Sequence, residues 1–144
     1  KGFQLLAAQK NISLELARDE EVVVPGDRLK LQQVISNIID NGIKYTPEGG
    51  KVTVEVYNTP EYGVVKVSDT GYGIAKEDLG RIFDRFFRVD KARSRSTGGT
   101  GLGLSIANRI VLLHNGFIRV ESEENVGTTF YIELPYENTD ALES

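Results

Sequence analysis

The stretch that decides the reading is "QQVISNIIDNGIKYT", Gln32 to Thr46. Asp27 stands ahead of it as a good N-cap, just after the strand stop Pro25-Gly26. Leu31, Val34, Ile35, Ile38 and Ile39 recur at helical spacing, which predicts a helix from Asp27 to about Tyr45 with one apolar stripe. "TPEGG" (46–50) ends it. At 100° per residue, Asn37, Asn41 and Lys44 lie within about 60° of one another. Lys30 and Gln33 extend that arc, while Gln32, Ser36 and Asp40 occupy the outward side. The two asparagines therefore flank the core, where a mediocre helix former is locally costly. An amide oxygen can ligate a hard cation, and Mg²⁺ prefers few protein ligands plus phosphates and waters. A lysine one turn on can meet a phosphate as a point charge. Taken alone, the stripe also reads as ordinary polar residues at a helix boundary.

Working outward, "ISLELA" (12–17) alternates like a half-buried strand, and "EVVVPG" (21–26) reads as a second strand. "KVTVEVYN" and "YGVVKVSD" are two strands joined by a short turn at Thr59-Pro60-Glu61. "TGYGI" is a loop and "KEDLGRIFDRFF" a short helix; residues 89–100 are polar, basic and glycine-bearing, the pattern of a mobile loop. "GLGLSIANRIVLLHNG" is a second long helix with Gly116 as its stop, and "FIRVESE" and "GTTFYIELP" make a last hairpin. "GFQLLAAQ" (2–9) reads as a helix end, and residues 137–144 as a flexible tail. This mixture predicts an α+β layer: one mixed, mostly antiparallel sheet covered by helices on one face.

Composition narrows the function. With 144 residues, 40% apolar and 26% charged, the chain is an ordinary globular one of a single domain, spanning 1–136 before the tail. No apolar run approaches the ~20 residues a membrane helix needs. The chain begins at Lys1 rather than methionine, as an excised piece of a longer protein does. Zero cysteines exclude disulfides, thiolate metal sites and cysteine nucleophiles, and fit a reducing compartment. A net charge of −4 argues against nucleic acid as a partner. One region departs from that balance: Arg81, Arg85, Arg88, Lys91, Arg93 and Arg95 face only Asp84 and Asp90.

Three more features could carry chemistry. Asp69 ends an apolar strand, and Gly71 and Gly73 let the backbone pass close to a ligand. A carboxylate there can accept from an exocyclic amine such as that of adenine. Asp-Thr-Gly also begins an aspartic-protease site, but that chemistry needs a second carboxylate partner, and the chain contains no second such tripeptide. "STGGTGLGLSIA" (96–107) leads glycines into a helix mouth, where free N–H groups and the helix dipole receive an anion. It fails both the lysine-bearing phosphate loop and the dinucleotide pattern, so its cations must come from Lys44 and the basic segment 81–95. His114, the one histidine, ends the second helix and reads as a capping residue.

Singly these signals are weak, but their order is specific. Asn37-x-x-x-Asn41-x-x-Lys44-Tyr45, Asp69-x-Gly71-x-Gly73, "FDRFFR" (83–88), "GGTGLGL" (98–104) and "GTTF" (127–130) resemble the N, G1, F, G2 and G3 boxes of sensor histidine kinases. The resemblance runs from about residue 3 to Pro135 and points to the catalytic and ATP-binding domain. Its implied fold is the two-layer α/β sandwich, Bergerat-type, shared with gyrase, heat-shock chaperone and mismatch-repair ATPases.

The resemblance implies Asn37 as the Mg²⁺ ligand with Asn41 beside it, Lys44 on the phosphates and Tyr45 lining the nucleotide pocket. Asp69 matches the carboxylate that reads the adenine amine, and Gly71, Gly73 and Ile74 the pocket edge. Residues from 74 to about 100 match a mobile ATP lid anchored by Phe83, Phe86 and Phe87. Arg88 falls where an arginine reaches the γ-phosphate. Gly99, Thr100, Gly101, Leu102, Gly103 and Leu104 match the hinge and phosphate cradle, and Thr128 a supporting pocket residue. Gly42 stands where alanine is frequent in the family. The implied reaction moves the γ-phosphoryl of Mg·ATP to a histidine on a dimerisation and phosphoacceptor hairpin lying before Lys1, with a response regulator downstream. Asn37, Lys44 and Arg88 are the implied catalytic set. The parent would be a bacterial membrane-bound sensor with this domain in the cytoplasm. Two other readings use the same fold: a conformational-switch ATPase, and a regulatory kinase directed at serine. The arginine-rich lid and "FDRFFR" favour the histidine kinase.

Overall fold

The computed structural model describes residue 8 and residues 11–83 and 103–136. The helix expected over 2–9 lies almost wholly outside that range. So do the basic loop 89–100, the F box beyond Phe83 and the tail 137–144.

Strand β1 (Ser13–Asp19) is followed by helix α1 (Arg28–Lys44), then by strands β2 (Lys51–Asn58) and β3 (Tyr62–Asp69). A short 3₁₀ helix (Lys76–Arg81), helix α2 (Gly103–Leu113), and strands β4 (Phe117–Glu123) and β5 (Gly127–Pro135) complete the described order. The five strands form one sheet in the order β1-β2-β3-β5-β4, with β1 parallel to β2 and the other pairs antiparallel. This is the mixed, mostly antiparallel sheet that the alternation patterns predict.

Helix α1 forms where its sequence says it should. The Asp27 side chain accepts from the Lys30 N–H, meeting one orphan donor of the first turn. The buried Thr46 hydroxyl returns a 2.6 Å bond to the Gly42 carbonyl, and the Tyr45 N–H bonds the Asn41 carbonyl. At the end of α2 the left-handed residue is Asn115 (φ 65), not Gly116. The Asn115 N–H bonds Leu112 and the Gly116 N–H reaches back to Val111, which is a Schellman closure. Gly116 is needed for another reason: a Cβ there would run into the Glu133 carbonyl.

Both helices lie on one face of the sheet. Val34, Ile38 and Ile43 of α1 and Ala107 and Val111 of α2 are buried with Val52, Val67, Phe130 and Ile132 of the strands. Each buried Val, Ile or Phe side chain contributes about 1.5–3 kcal/mol by leaving water. The other face is mixed, burying Val64 and setting Lys66 and Arg119 over the Tyr131 ring at 5.5 and 4.1 Å.

The segment 21–26 is not a strand. Val22 and Val24 do turn inward while Val23 is exposed, which is the period that suggested one. Yet the segment joins no ladder. The Asn58 amide bonds the Glu21 carbonyl, and Val22 rests where Gly63 has no side chain. Alternation here records one-sided burial without a pairing partner.

Candidate functional site

Strand register builds the site's first corner. Val52, Asp69, Thr128 and Ser122 pair in one row across β2, β3, β5 and β4. Val67 and Phe130, two residues away on their strands, are buried beneath the helices, so by the two-residue period this row shares their face. A carboxylate thus ends an apolar strand on the covered side of the sheet. Its Oδ1 accepts from the Gly71 N–H at 2.8 Å and the Thr128 N–H at 3.3 Å. Oδ2 takes no donor among the described residues. It faces α1, 3.7 Å from where a Gly42 Cβ would sit. Burial pushes the Asp69 carboxyl up to about 6, although the Gly71 and Thr128 N–H groups pull the other way.

The loop after β3 is clamped on both sides. The Tyr72 N–H bonds the Tyr45 carbonyl, and the Asn125 N–H bonds the Tyr72 carbonyl at 2.7 Å. Gly71 and Gly73 make those approaches possible. A Cβ on Gly71 would overlap the Tyr45 carbonyl, and one on Gly73 (φ +73) would overlap Glu123. The Ile74 N–H then donates to the Ser122 hydroxyl at 2.7 Å.

Helix α1 carries the second corner. Asn37, Asn41, Lys44 and Tyr45 are all half-buried on the side expected. The Asn37 Nδ2 donates to the Gly103 carbonyl at 3.3 Å, joining α1 to the first residue of α2. That leaves its Oδ1 as the neutral oxygen available to a ligand. Ser36 and Asp40 depart from expectation. Both are half-buried rather than outward, and the Asp40 carboxylate holds Lys44 Nζ at 3.1 Å. From Asn37 to Gly42 is about 8 Å along the helix axis, so one elongated ligand lying against α1 can touch both corners.

Of the other expected residues, Phe83 is half-buried against the core, Leu104 packs there from α2, and Thr128 is buried. Arg88, Gly99, Thr100, Gly101 and Leu102 lie outside the described residues. His114 is a structural tie. Its Nε2 accepts from the Asp27 N–H at 2.9 Å, which obliges the other nitrogen, Nδ1, to donate to the Ile110 carbonyl at 2.8 Å. Ser122 was not anticipated. Its signal was available: in "FIRVESE" it continues the inward row of Ile118 and Val120 as a polar residue.

Residues 26–138 match the family described as histidine kinase-, DNA gyrase B- and HSP90-like ATPase. The sensor histidine kinase WalK of Bacillus subtilis (strain 168) is 49% identical over 120 residues, covering 82% of this chain and 20% of that protein. RppB of Synechocystis, also a sensor histidine kinase, is 42% identical over 130 residues, covering 90% and 28%. The chain therefore spans less than a third of the length of these relatives. Among solved structures, the mycobacterial sensor histidine kinase MprB superposes with a TM-score of 0.80 at 33% identity, over 94% of this chain and 91% of that one. Full-length ShkA in complex with AMPPNP superposes with a TM-score of 0.78 at 29% identity, over 94% and 28%.

Proposed function

This chain belongs to the histidine kinase-, DNA gyrase B- and HSP90-like ATPase family as a sensor histidine kinase catalytic ATP-binding domain, and from that membership we propose its reaction: transfer of the γ-phosphoryl of Mg·ATP to a histidine on a dimerisation and phosphoacceptor hairpin outside these 144 residues. The observation that carries the reading is the Asp69 corner. One carboxylate oxygen is held by two backbone N–H groups while the other faces α1 with no donor among the described residues. That oxygen suits the exocyclic amine of adenine, and ShkA, of the same fold, was solved with an adenine nucleotide.

The phosphates extend along α1 toward Asn37 and the mouth of α2. The donor set there fits Mg²⁺. Asn37 offers a neutral hard oxygen, and no group of three His, Cys, Asp or Glu among the described residues could hold a metal by itself. A cation held at Asn37 would leave the rest of its shell to phosphates and water, as Mg²⁺ prefers, and would supply charge neutralisation to the phosphates. Lys44 exchanges Asp40 for phosphate oxygen, and Arg88 adds charge at the γ-phosphate. The bond from the γ-phosphorus to the β–γ bridging oxygen breaks, ADP leaves, and a bond to the acceptor's ring nitrogen forms. The ring proton passes to a base beside that acceptor. The protein's part is positioning and neutralisation.

The acceptor is not His114, whose ring nitrogens are both engaged between α1 and α2. The downstream partner is a response regulator, and the parent is a bacterial membrane-bound sensor carrying this domain in the cytoplasm. Among the described residues no helix is long and apolar enough to cross a membrane.

Incubation with γ-labelled ATP, Mg²⁺ and a histidine-bearing hairpin tests the reaction. Acid-labile, base-stable label on the hairpin supports it. Label released only as inorganic phosphate points to the switch ATPase, and acid-stable label on an added protein to the serine-directed kinase.

A further inference from the structure

Ser122 lies on β4, two strands from Asp69, and the roles above assign it nothing. Its hydroxyl has three partners: the Ile74 N–H at 2.7 Å, the Gly127 carbonyl at 3.0 Å and the Thr128 hydroxyl at 2.8 Å. A hydroxyl has one proton and two lone pairs. The Ile74 N–H can only donate and the Gly127 carbonyl can only accept, so the Thr128 hydroxyl must donate to Ser122. All three valences are then filled, and the direction of every bond is determined.

This matters because Thr128 is one residue with two duties. Its N–H is the second donor on Asp69 Oδ1, and its hydroxyl is tied back to Ser122. Gly127, whose carbonyl Ser122 also holds, is pressed so closely on the Asp69 backbone that a Cβ would overlap the Asp69 carbonyl. Ser122 therefore grips both residues of β5 that abut Asp69, and the same oxygen anchors the far end of the Asp69–Ile74 loop. We propose that Ser122 is a positioning residue that sets adenine selectivity, by holding Thr128 and Gly127 so that Asp69 keeps its second oxygen directed at the nucleotide's exocyclic amine.

The proposal rests on the reading of Asp69 as the adenine acceptor, and the test separates the two. Calorimetry on this chain with Mg²⁺ compares ATP with inosine triphosphate, which carries a carbonyl where adenine carries the amine. The unmodified chain is expected to favour ATP. Ser122→Ala should lower that preference about three- to tenfold by weakening ATP, with inosine triphosphate changed less than about twofold. Ser122→Thr, which restores the hydroxyl, should recover the preference. A purely structural role weakens both nucleotides together, and that result, like an unchanged preference, overturns the proposal. If Ser122→Ala does not fold, Thr128→Val breaks the same link from its other end and is held to the same outcomes. No ATP preference in the unmodified chain would refute the Asp69 reading itself, and this inference with it.

Discussion

Replacing Asp69 with asparagine should make the domain more stable and a poorer nucleotide binder at once. Burial raises the Asp69 carboxyl from its ordinary 3.8 to about 6. A raised carboxyl is stabilised in its protonated form. Its favourable contribution is complete below 3.8 and is lost as pH rises through about 6. Above pH 7 the ionised, nucleotide-free corner therefore costs the fold up to ~3 kcal/mol, at about 1.4 kcal/mol per pH unit. Asparagine keeps the Oδ1 acceptor for the Gly71 and Thr128 N–H groups and removes the charge. Near pH 7.5 the variant should gain about 1–3 kcal/mol, seen as roughly 3–10 °C in melting temperature. The gap should widen from pH 4 to 7 and level off above. Adenine meets the opposite effect, since the new Nδ2 presents a donor to a donor. Loss of a charge-assisted hydrogen bond of about 1.5–3 kcal/mol lowers ATP affinity roughly 10- to 150-fold. Melts from pH 4 to 8 with and without ATP, plus calorimetry, read both halves. A stability gap that is absent or does not vary with pH refutes the desolvation reasoning, and unchanged ATP affinity refutes the adenine contact.

Three further outcomes can be checked alongside it. Asn37→Ala should abolish Mg²⁺-dependent transfer to a hairpin while circular dichroism stays that of the parent; transfer at the parent rate contradicts the metal role. His114→Ala removes the tie between α1 and α2 and should cost about 1 kcal/mol in urea melts without lowering transfer per folded molecule. A transfer-dead but folded variant would mean His114 is more than structural. Gly42→Ala should stabilise by about 0.5–1 kcal/mol, because its Cβ meets Asp69 and Val52 at ordinary contact distances of 3.7–3.8 Å inside a helix. Destabilisation in the same melts would show the α1–β3 contact to be tighter than these distances indicate.

The parts of the fold legible in the sequence were those with a local cause. The Asp27 cap and the stop at Thr46 bounded α1, and alternation bounded β2 and β3 to the residue. The segment 21–26 misled because alternation reports which side is buried, not whether a neighbouring backbone supplies the ladder. The stop at Gly116 was right in place, and the left-handed residue that closes the helix is Asn115 just before it. For the candidate site, ordered motifs supplied the proposed residues, and helical projection put Asn37, Asn41 and Lys44 on one side. The Asp40–Lys44 ion pair was legible too, since i,i+4 residues are neighbours on a helix, but placing Asp40 on the outward side hid it. Projection did not show Ser122, whose part follows from a cross-strand register involving three strands.

The central claim is that adenine nucleotide lies against α1 between Asp69 and Asn37, and amide NMR during titration with Mg·ADP tests it most directly. The largest shifts are expected at Asn37, Asn41, Gly71, Ile74 and Thr128, with Lys66 and Tyr131 on the opposite face of the sheet unmoved. Shifts centred on that opposite face, or none in the Asp69–Ile74 loop, would contradict it.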